Sequence, residues 1–263
     1  DRYWGHMNLR ERVDRFFIAQ FEGLPLDQAD EMDILEANGT VNFGSNKAYR
    51  AMLKKIKAGS PATNPDDLQY ILDNVDVDNL FEYMALEMFV GNSDIGNIRY
   101  YRLHQEGSKW KWIWYDADYG LYSSKFNSPW SYLKVKGMGE QKIDNTIFLK
   151  LLEHPDYKRK FLEKLADVYK TFTTEYMTQV LDGVVAEIQP EMKNHWERWG
   201  ELNDKAVTSE VPTTIDGAYT YWESRVNRLY NTLKVRPHRL WDFIKDEFKL
   251  TKTEMEELFG PQP

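Results

Sequence analysis

The stretch GNSDIGNIRYYRLHQEGSKWKWIWYDADYG, residues 91–120, decides how the chain is read. It opens on a turn crowded with side-chain amides and carboxylates: Asn92, Ser93, Asp94, Gly96 and Asn97. Ile98 and Tyr100 then alternate with Arg99 and Tyr101, a polar turn covers 104–108, and a second alternating run over 110–114 leads into Asp116-Ala117-Asp118. Period-two alternation of aromatic and β-branched residues predicts two strands joined by a glycine-containing loop. Antiparallel pairing would bring Asp94 and Asn97 to the same end of this ribbon as Asp116 and Asp118.

Asp and Asn converging on a point, with no Cys or His beside them, form a hard-cation arrangement. Oxygen ligands suit magnesium or manganese, and magnesium keeps waters and bridges substrate phosphates. Asp94-x-x-Asn97, a strand pair and then Asp116 follow the logic of a phosphotransferase catalytic loop succeeded by a metal-binding Asp. Asp, Asn and Gly also gather at turns for purely conformational reasons, so the pattern alone leaves both readings open.

With those residues in place, the chain resembles the CotH family, the spore-coat-protein-H type of atypical protein kinases. The likeness rests on Asp94…Asn97 and on Tyr115-Asp116-Ala117-Asp118-Tyr119-Gly120. It extends to Tyr3-Trp4-Gly5…Leu9-Arg10-Glu11-Arg12-Val13-Asp14, to Asp33-Ile34-Leu35-Glu36 with Gly44-Ser45, and to Ile188-Gln189-Pro190-Glu191…Glu197-Arg198-Trp199. The resemblance implies transfer of the γ-phosphoryl of ATP to Ser or Thr of a protein substrate, with Mg2+ or Mn2+. It implies Asp94 as general base, Asn97 and Asp116 as metal ligands, and Asp118 as a second ligand or its support. Glu11 resembles the family's linker glutamate near the nucleotide, with a solvated ion pair to Arg10 or Arg12 as the plainer reading. Asn92 would brace the loop or contact the cofactor. One departure is visible: only Ile95 and Gly96 separate Asp94 from Asn97, where many relatives carry a longer spacing with a Pro-Gly insert.

The expected fold class is α+β, an atypical kinase-like domain over 1–263. Residues 1–22 would form the end of an N-terminal lobe and linker, and 23–263 a helical lobe holding the catalytic hairpin 91–120. Nothing at the start of the chain reads as a Gly-rich phosphate loop or a strand lysine, so most of the nucleotide-side lobe is expected to lie outside it. A length of 263 residues is ample for a sizeable core. The net charge of −8 argues against a general nucleic-acid binder, which needs a basic face. No cysteine is present, which removes disulfide scaffolds, thiolate metal sites and thiol catalysis. No apolar run reaches the roughly 20 residues of a membrane span. The five histidines lack the spacing of a zinc site. An extracellular or cell-surface location is what the resemblance suggests.

Along the chain, residues 2–12 read as a short strand entering a helix. Residues 23–46 read as a polar, insertion-like stretch with a small hairpin and a solvated acidic face. Helices are expected over 48–58, from Asp66-Asp67, from Val77 to Gly91 as an apolar and central helix, and over 146–153, 155–170, 173–199, 218–234, 237–248 and 251–258. Residues 121–139 read as a surface loop that in a kinase would face the substrate. Arg99 and Arg102 facing Lys109 and Lys111 are either phosphate contacts or cross-strand surface charges. Trp110, Trp112 and Trp114 are either core or a sugar platform. Arg198 is expected to pair with a carboxylate. The rival to the kinase is a non-catalytic, kinase-like surface or matrix-binding module, with carbohydrate association as a weaker variant.

Overall fold

The computed structural model describes residues 3–134, 143–206 and 214–263, leaving aside the side chains of 200–206. The chain forms two compact units, Asp1–Glu11 with Phe172–Pro237, and Arg12–Thr171 with His238–Pro263.

The larger unit is built on one helix and one sheet. Helix α4, Val77–Val90, is apolar on nearly every side, and ten of its fourteen residues are buried. The Asp76 side chain caps it by accepting from Asn79 N, and Gly91 ends it in the left-handed conformation (φ 64°), which glycine adopts without steric cost. An interlocked set of rings anchors it: Phe81 meets Phe148 and Phe161 at 6.1 and 5.4 Å, and Phe161 meets Phe248 at 5.8 Å. Phe148 belongs to α6 (Thr146–Leu152), Phe161 to α7 (Pro155–Thr171) and Phe248 to the end of α10 (Ile215–Phe248). Helices α2 (Lys47–Ala58), α3 (Pro65–Asn74) and α11 (Lys252–Phe259) complete the helical part. Asn64 caps α3, and Thr251 with Glu254 forms a capping box on α11.

The expected hairpin is present as β3 (Arg99–Leu103) and β4 (Lys111–Ile113). It is half of a four-stranded antiparallel sheet, because β1 (Met32–Glu36) pairs with β3 and carries β2 (Thr40–Phe43) on its other edge. The small hairpin expected within 23–46 is thus β1–β2, and Asp27, Asp30 and Glu31 are exposed as expected, but the reading of the stretch as an insertion is corrected. Met32, Ile34 and Leu35 are fully buried, and Asp33 is buried as well. Asp33 is accommodated by hydrogen bonds from Ser45 N (2.7 Å) and by His104 (3.1 Å). Helix α1 (Arg15–Phe21) lays Ile18 and Ala19 on one sheet face against Met32, Ile34 and Tyr101. On the opposite face Tyr49, Tyr100, Trp110 and Trp112 stack among themselves, so Trp110 and Trp112 are core, while Trp114 is exposed.

The loop expected over 121–139 contains a short helix, α5 (Ser128–Tyr132), whose Ser128 and Ser131 are buried rather than exposed. Residues 135–139 of that loop lie outside the described residues.

In the smaller unit the single helix expected over 173–199 is two, α8 (Thr174–Ile188) and α9 (Met192–Ala206), separated by a 3-10 turn at Pro190, which has no N–H for a continuing helix. Conversely, the two helices expected around Pro237 are one, α10, with Pro237 inside it. Proline leaves the Leu233 carbonyl without its helical donor, and Thr174 Oγ1 donates to it instead at 3.2 Å. Residues 3–12 form no strand. They are instead held by α9: Trp199 Nε1 donates to Trp4 O at 2.9 Å, and Gly5 (φ 108°) sits where a Cβ would meet Trp199 at 2.4 Å. Arg198 stacks over the rings of Trp199 and Trp4 at 4.4 and 5.4 Å, and among the described residues no carboxylate pairs with it.

Candidate active site

The end of α4 fixes the adjoining loop. Asn92 is buried, and its Oδ1 accepts from Asp94 N at 3.1 Å. Below it lies Glu87, the buried acid of α4, whose Asp78 and Glu82 are exposed. Tyr132 donates its hydroxyl to Glu87 Oε2 at 2.6 Å, and the side chains of Asn92 and Trp114 also hydrogen-bond Glu87. Burial pushes the Glu87 carboxyl up, those hydrogen bonds oppose the rise, and the nearby Asp94 charge adds to it. Asn92 is thus a brace between helix and loop.

Strand β4 is locked to the same helix. Trp112 N donates to Asn79 Oδ1 at 2.6 Å, and Asn79 Nδ2 donates to Trp112 O at 3.0 Å. The turn after β4 is consequently held in register with the loop after α4. Asp116 has a left-handed backbone (φ 52°), uncommon outside glycine, and such strained residues cluster at functional sites. The next turn folds back on α4: Leu121 N donates to Val90 O at 2.6 Å, and a Cβ on Gly120 would meet Ala117 O at 2.8 Å and Val90 at 3.1 Å.

These two anchorages bring Asp94, Asn97, Asp116 and Asp118 together. Asn97 Nδ2 donates to Asp116 Oδ2 at 2.6 Å, and Asn97 also hydrogen-bonds the Asp94 side chain. Burial raises the Asp94 carboxyl, the charges of Asp116 and Asp118 raise it further, and the Asn97 hydrogen bond works the other way. Glu11 is exposed and belongs to the other unit.

Three neighbours were named in the sequence without a role in fixing this site. Tyr115 donates its hydroxyl to Asn97 Oδ1 at 2.7 Å and lies under the Arg99 guanidinium at 5.0 Å. Arg99 donates to Val13 O and pairs with Glu36, its cross-strand partner, at 3.2 Å. Arg99 is neither a surface charge nor a free phosphate contact here, and Lys111 likewise is engaged, with Glu22 at 2.7 Å. The aromatic in front of Asp116 was the available signal for Tyr115. Glu36 stood in the motif Asp33-Ile34-Leu35-Glu36, but its approach to Arg99 depends on the pairing of β1 with β3, which was not foreseen.

A cleft of about 650 Å3 opens at this point, walled by Glu36, Asn38, Asp94, Asn97, Arg99 and Tyr115. Its donors are oxygens, and like charges gathered around Asp94 are what a hard cation relieves, so the residue chemistry fits magnesium or manganese. The cage is not preformed: among the described residues no group of three or more His, Cys, Asp or Glu is arranged to hold a metal ion, and the Asn97 amide links the carboxylates instead.

Fold and site together define an α+β protein with an acidic, cation-compatible cleft at the open end of a helix-anchored hairpin. The family model described as CotH kinase protein matches residues 3–240, and the chain belongs to the CotH kinase family. Membership suggests atypical kinase activity and, in general terms, use of ATP and a divalent cation. No curated protein and no solved structure matches the chain. Among the described residues no helix is long and apolar enough to cross a membrane.

Proposed function

We propose that this protein is an atypical kinase that moves the γ-phosphoryl group of ATP to a Ser or Thr hydroxyl of a protein. The observation that carries the reading is the convergence of Asp94, Asn97 and Asp116 from two chain segments, with Asp94 and Asn97 lining one cleft and Asp116 held to Asn97 beside it. The acceptor oxygen bonds to the γ-phosphorus as the bond to the β–γ bridging oxygen breaks, ADP leaves, and the hydroxyl proton passes to Asp94. A base is most effective when its pKa approaches the working pH, and the raised Asp94 carboxyl moves in that direction. Asn97 and Asp116 would hold the cation and Asp118 would support it. When bound, the cation neutralises charge developing on the transferring phosphates. Tyr115 fixes the Asn97 amide so that its Nδ2 faces Asp116. Asn92 positions the Asp94 backbone rather than touching the nucleotide. A nucleotide-side role for Glu11, and an extracellular or cell-surface location, rest on the family resemblance alone.

Among the described residues no group of three or more His, Cys, Asp or Glu is arranged to hold a metal ion, and this favours a second reading, a non-catalytic kinase-like binding module. Incubation with γ-labelled ATP, Mg2+ and a generic acceptor protein separates the two. Label is expected in the acceptor with wild type, and none with Asp116→Ala or with excess chelator. Equal labelling by Asp116→Ala removes the catalytic reading, and no labelling by a folded wild type leaves the binding module.

A further inference from the structure

Beside the acidic cleft lies a second cavity, of about 390 Å3, and the two share Ala37, Asn38, Ile98 and Ile143 in their walls. This volume falls within the range typical of ligand pockets. The wall of the second cavity is predominantly aliphatic and aromatic, with Leu53 from α2, Met84 from α4, Ile147 and Phe148 from α6, and Ile95, the residue next to Asp94.

Most polar groups on that wall are already committed. Lys57 pairs with Asp144, whose backbone N–H donates to Asn38 Oδ1 at 2.8 Å. Asn145 Nδ2 donates to Tyr132 O at 3.0 Å, the Tyr132 hydroxyl goes to Glu87, and the Tyr49 and Tyr100 hydroxyls bond each other. A nucleobase would bury the donors and acceptors along its edge against groups with little left to offer, which is unfavourable. An apolar side chain makes no such demand, and it gains by leaving water.

We propose that this cavity receives an apolar side chain of the acceptor polypeptide, of leucine, isoleucine, methionine or phenylalanine size, close in sequence to the hydroxyl that Asp94 serves. The proposal rests on the phosphotransfer reading above. Extended backbone advances about 3.3 Å per residue, so walls shared between the two cavities place this side chain about one to four residues from the acceptor. The cleft thereby selects its substrate by apolar volume at one fixed position.

A positional-scanning library of single-serine peptides tests this, read both as phosphoryl transfer and as binding by fluorescence polarisation, with wild type and Leu53→Trp. Leu53 is half-buried on α2, so an indole there can fill the cavity without displacing a fully buried residue. Thermal unfolding checks the fold, and Leu53→Phe replaces the variant if the indole is not tolerated. Wild type is expected to prefer an apolar residue over alanine at one position by roughly tenfold or more, the discrimination apolar pockets achieve. In Leu53→Trp the favoured peptide should fall to the level of its alanine counterpart. No positional preference in wild type overturns the proposal. So does a rise in KM for ATP with every peptide alike in Leu53→Trp, which would put the base of the nucleotide in the cavity. If no peptide is phosphorylated, the catalytic reading fails, and the binding arm still decides: a preference lost in Leu53→Trp upholds the pocket, and none overturns it.

Discussion

The two ends of one hairpin treat the carboxylates beside them in opposite ways. Toward the β3–β4 loop, Glu22 accepts from Lys111 at 2.7 Å and from the Tyr101 hydroxyl. Burial by itself would raise the Glu22 carboxyl, but those hydrogen bonds and the Lys111 charge bring it below the ordinary range. At the open end, Asp94 faces Asp116 and Asp118 with an amide for company, and its carboxyl is pushed up. Arg99, a cation on the cleft wall, is tied to Glu36 and Val13. Glu22 serves the fold, and the chain supplies its counter-charge in Lys111. Asp94 serves the cleft, and the negative potential there is left for something that arrives from solvent.

The largest expected effect breaks the open end. Asp94→Asn should lower phosphoryl transfer by roughly 100- to 10,000-fold, the usual contribution of a positioned general base. Its stability in the absence of metal should equal or exceed that of wild type, because a charge that repels Asp116 and Asp118 is gone. Transfer rates and chemical denaturation on the same preparation check both halves. A variant that retains activity, or one that loses activity only by unfolding, would erase the distinction between the two ends.

The reverse is expected at the loop end. Lys111→Met keeps most of the aliphatic stem but leaves Glu22 partly buried without its cation, at a cost of about 1–3 kcal/mol. That corresponds to roughly 2–4 °C of melting temperature per kcal/mol for a domain of this size. Transfer per folded molecule should stay near wild type. A collapse in turnover without a loss of stability would show that the two ends are coupled through β4.

The sequence exposed the hairpin and α4 because each has an unambiguous period: two for 98–101 and 110–114, and all-round apolarity for 77–90. Once α4 and β4 were recognised as neighbours of the two acidic turns, their convergence followed. The β1–β2 hairpin was legible, but the place of β1 inside the sheet was hidden because Met32, Ile34 and Leu35 break the alternation and sit among acids that suggest solvent. Its burial comes from pairing with a strand more than sixty residues away, as in Leu35 with Tyr100. Tyr115 was in plain view, yet its work on Asn97 depends on an eighteen-residue separation that no local pattern encodes. Pro237 misled for a related reason, since the hydroxyl that satisfies the carbonyl it orphans comes from Thr174 on another helix.

The finest contrast is in pH. Glu22 has a lowered carboxyl in the folded state, so the unfolded chain binds more protons in the window between its two values. Stability from this group is complete above the ordinary carboxylate value and is lost as pH falls through the lowered one. Glu87, buried under the Asp94 loop, is raised, so the folded chain binds more protons in the window just above the ordinary value, and stability falls as pH rises through it. Denaturation midpoints followed from acid to neutral pH with chelator present should therefore give difference curves of opposite slope. The gap between wild type and Lys111→Met should widen in favour of wild type as pH rises. Measured against Glu87→Gln, wild type should lose ground over the same rise, whatever the constant offset from the altered hydrogen bonds. Parallel curves would mean that both carboxylates are equally compensated, and the opposition between the fold-serving and cleft-serving ends would fall with them.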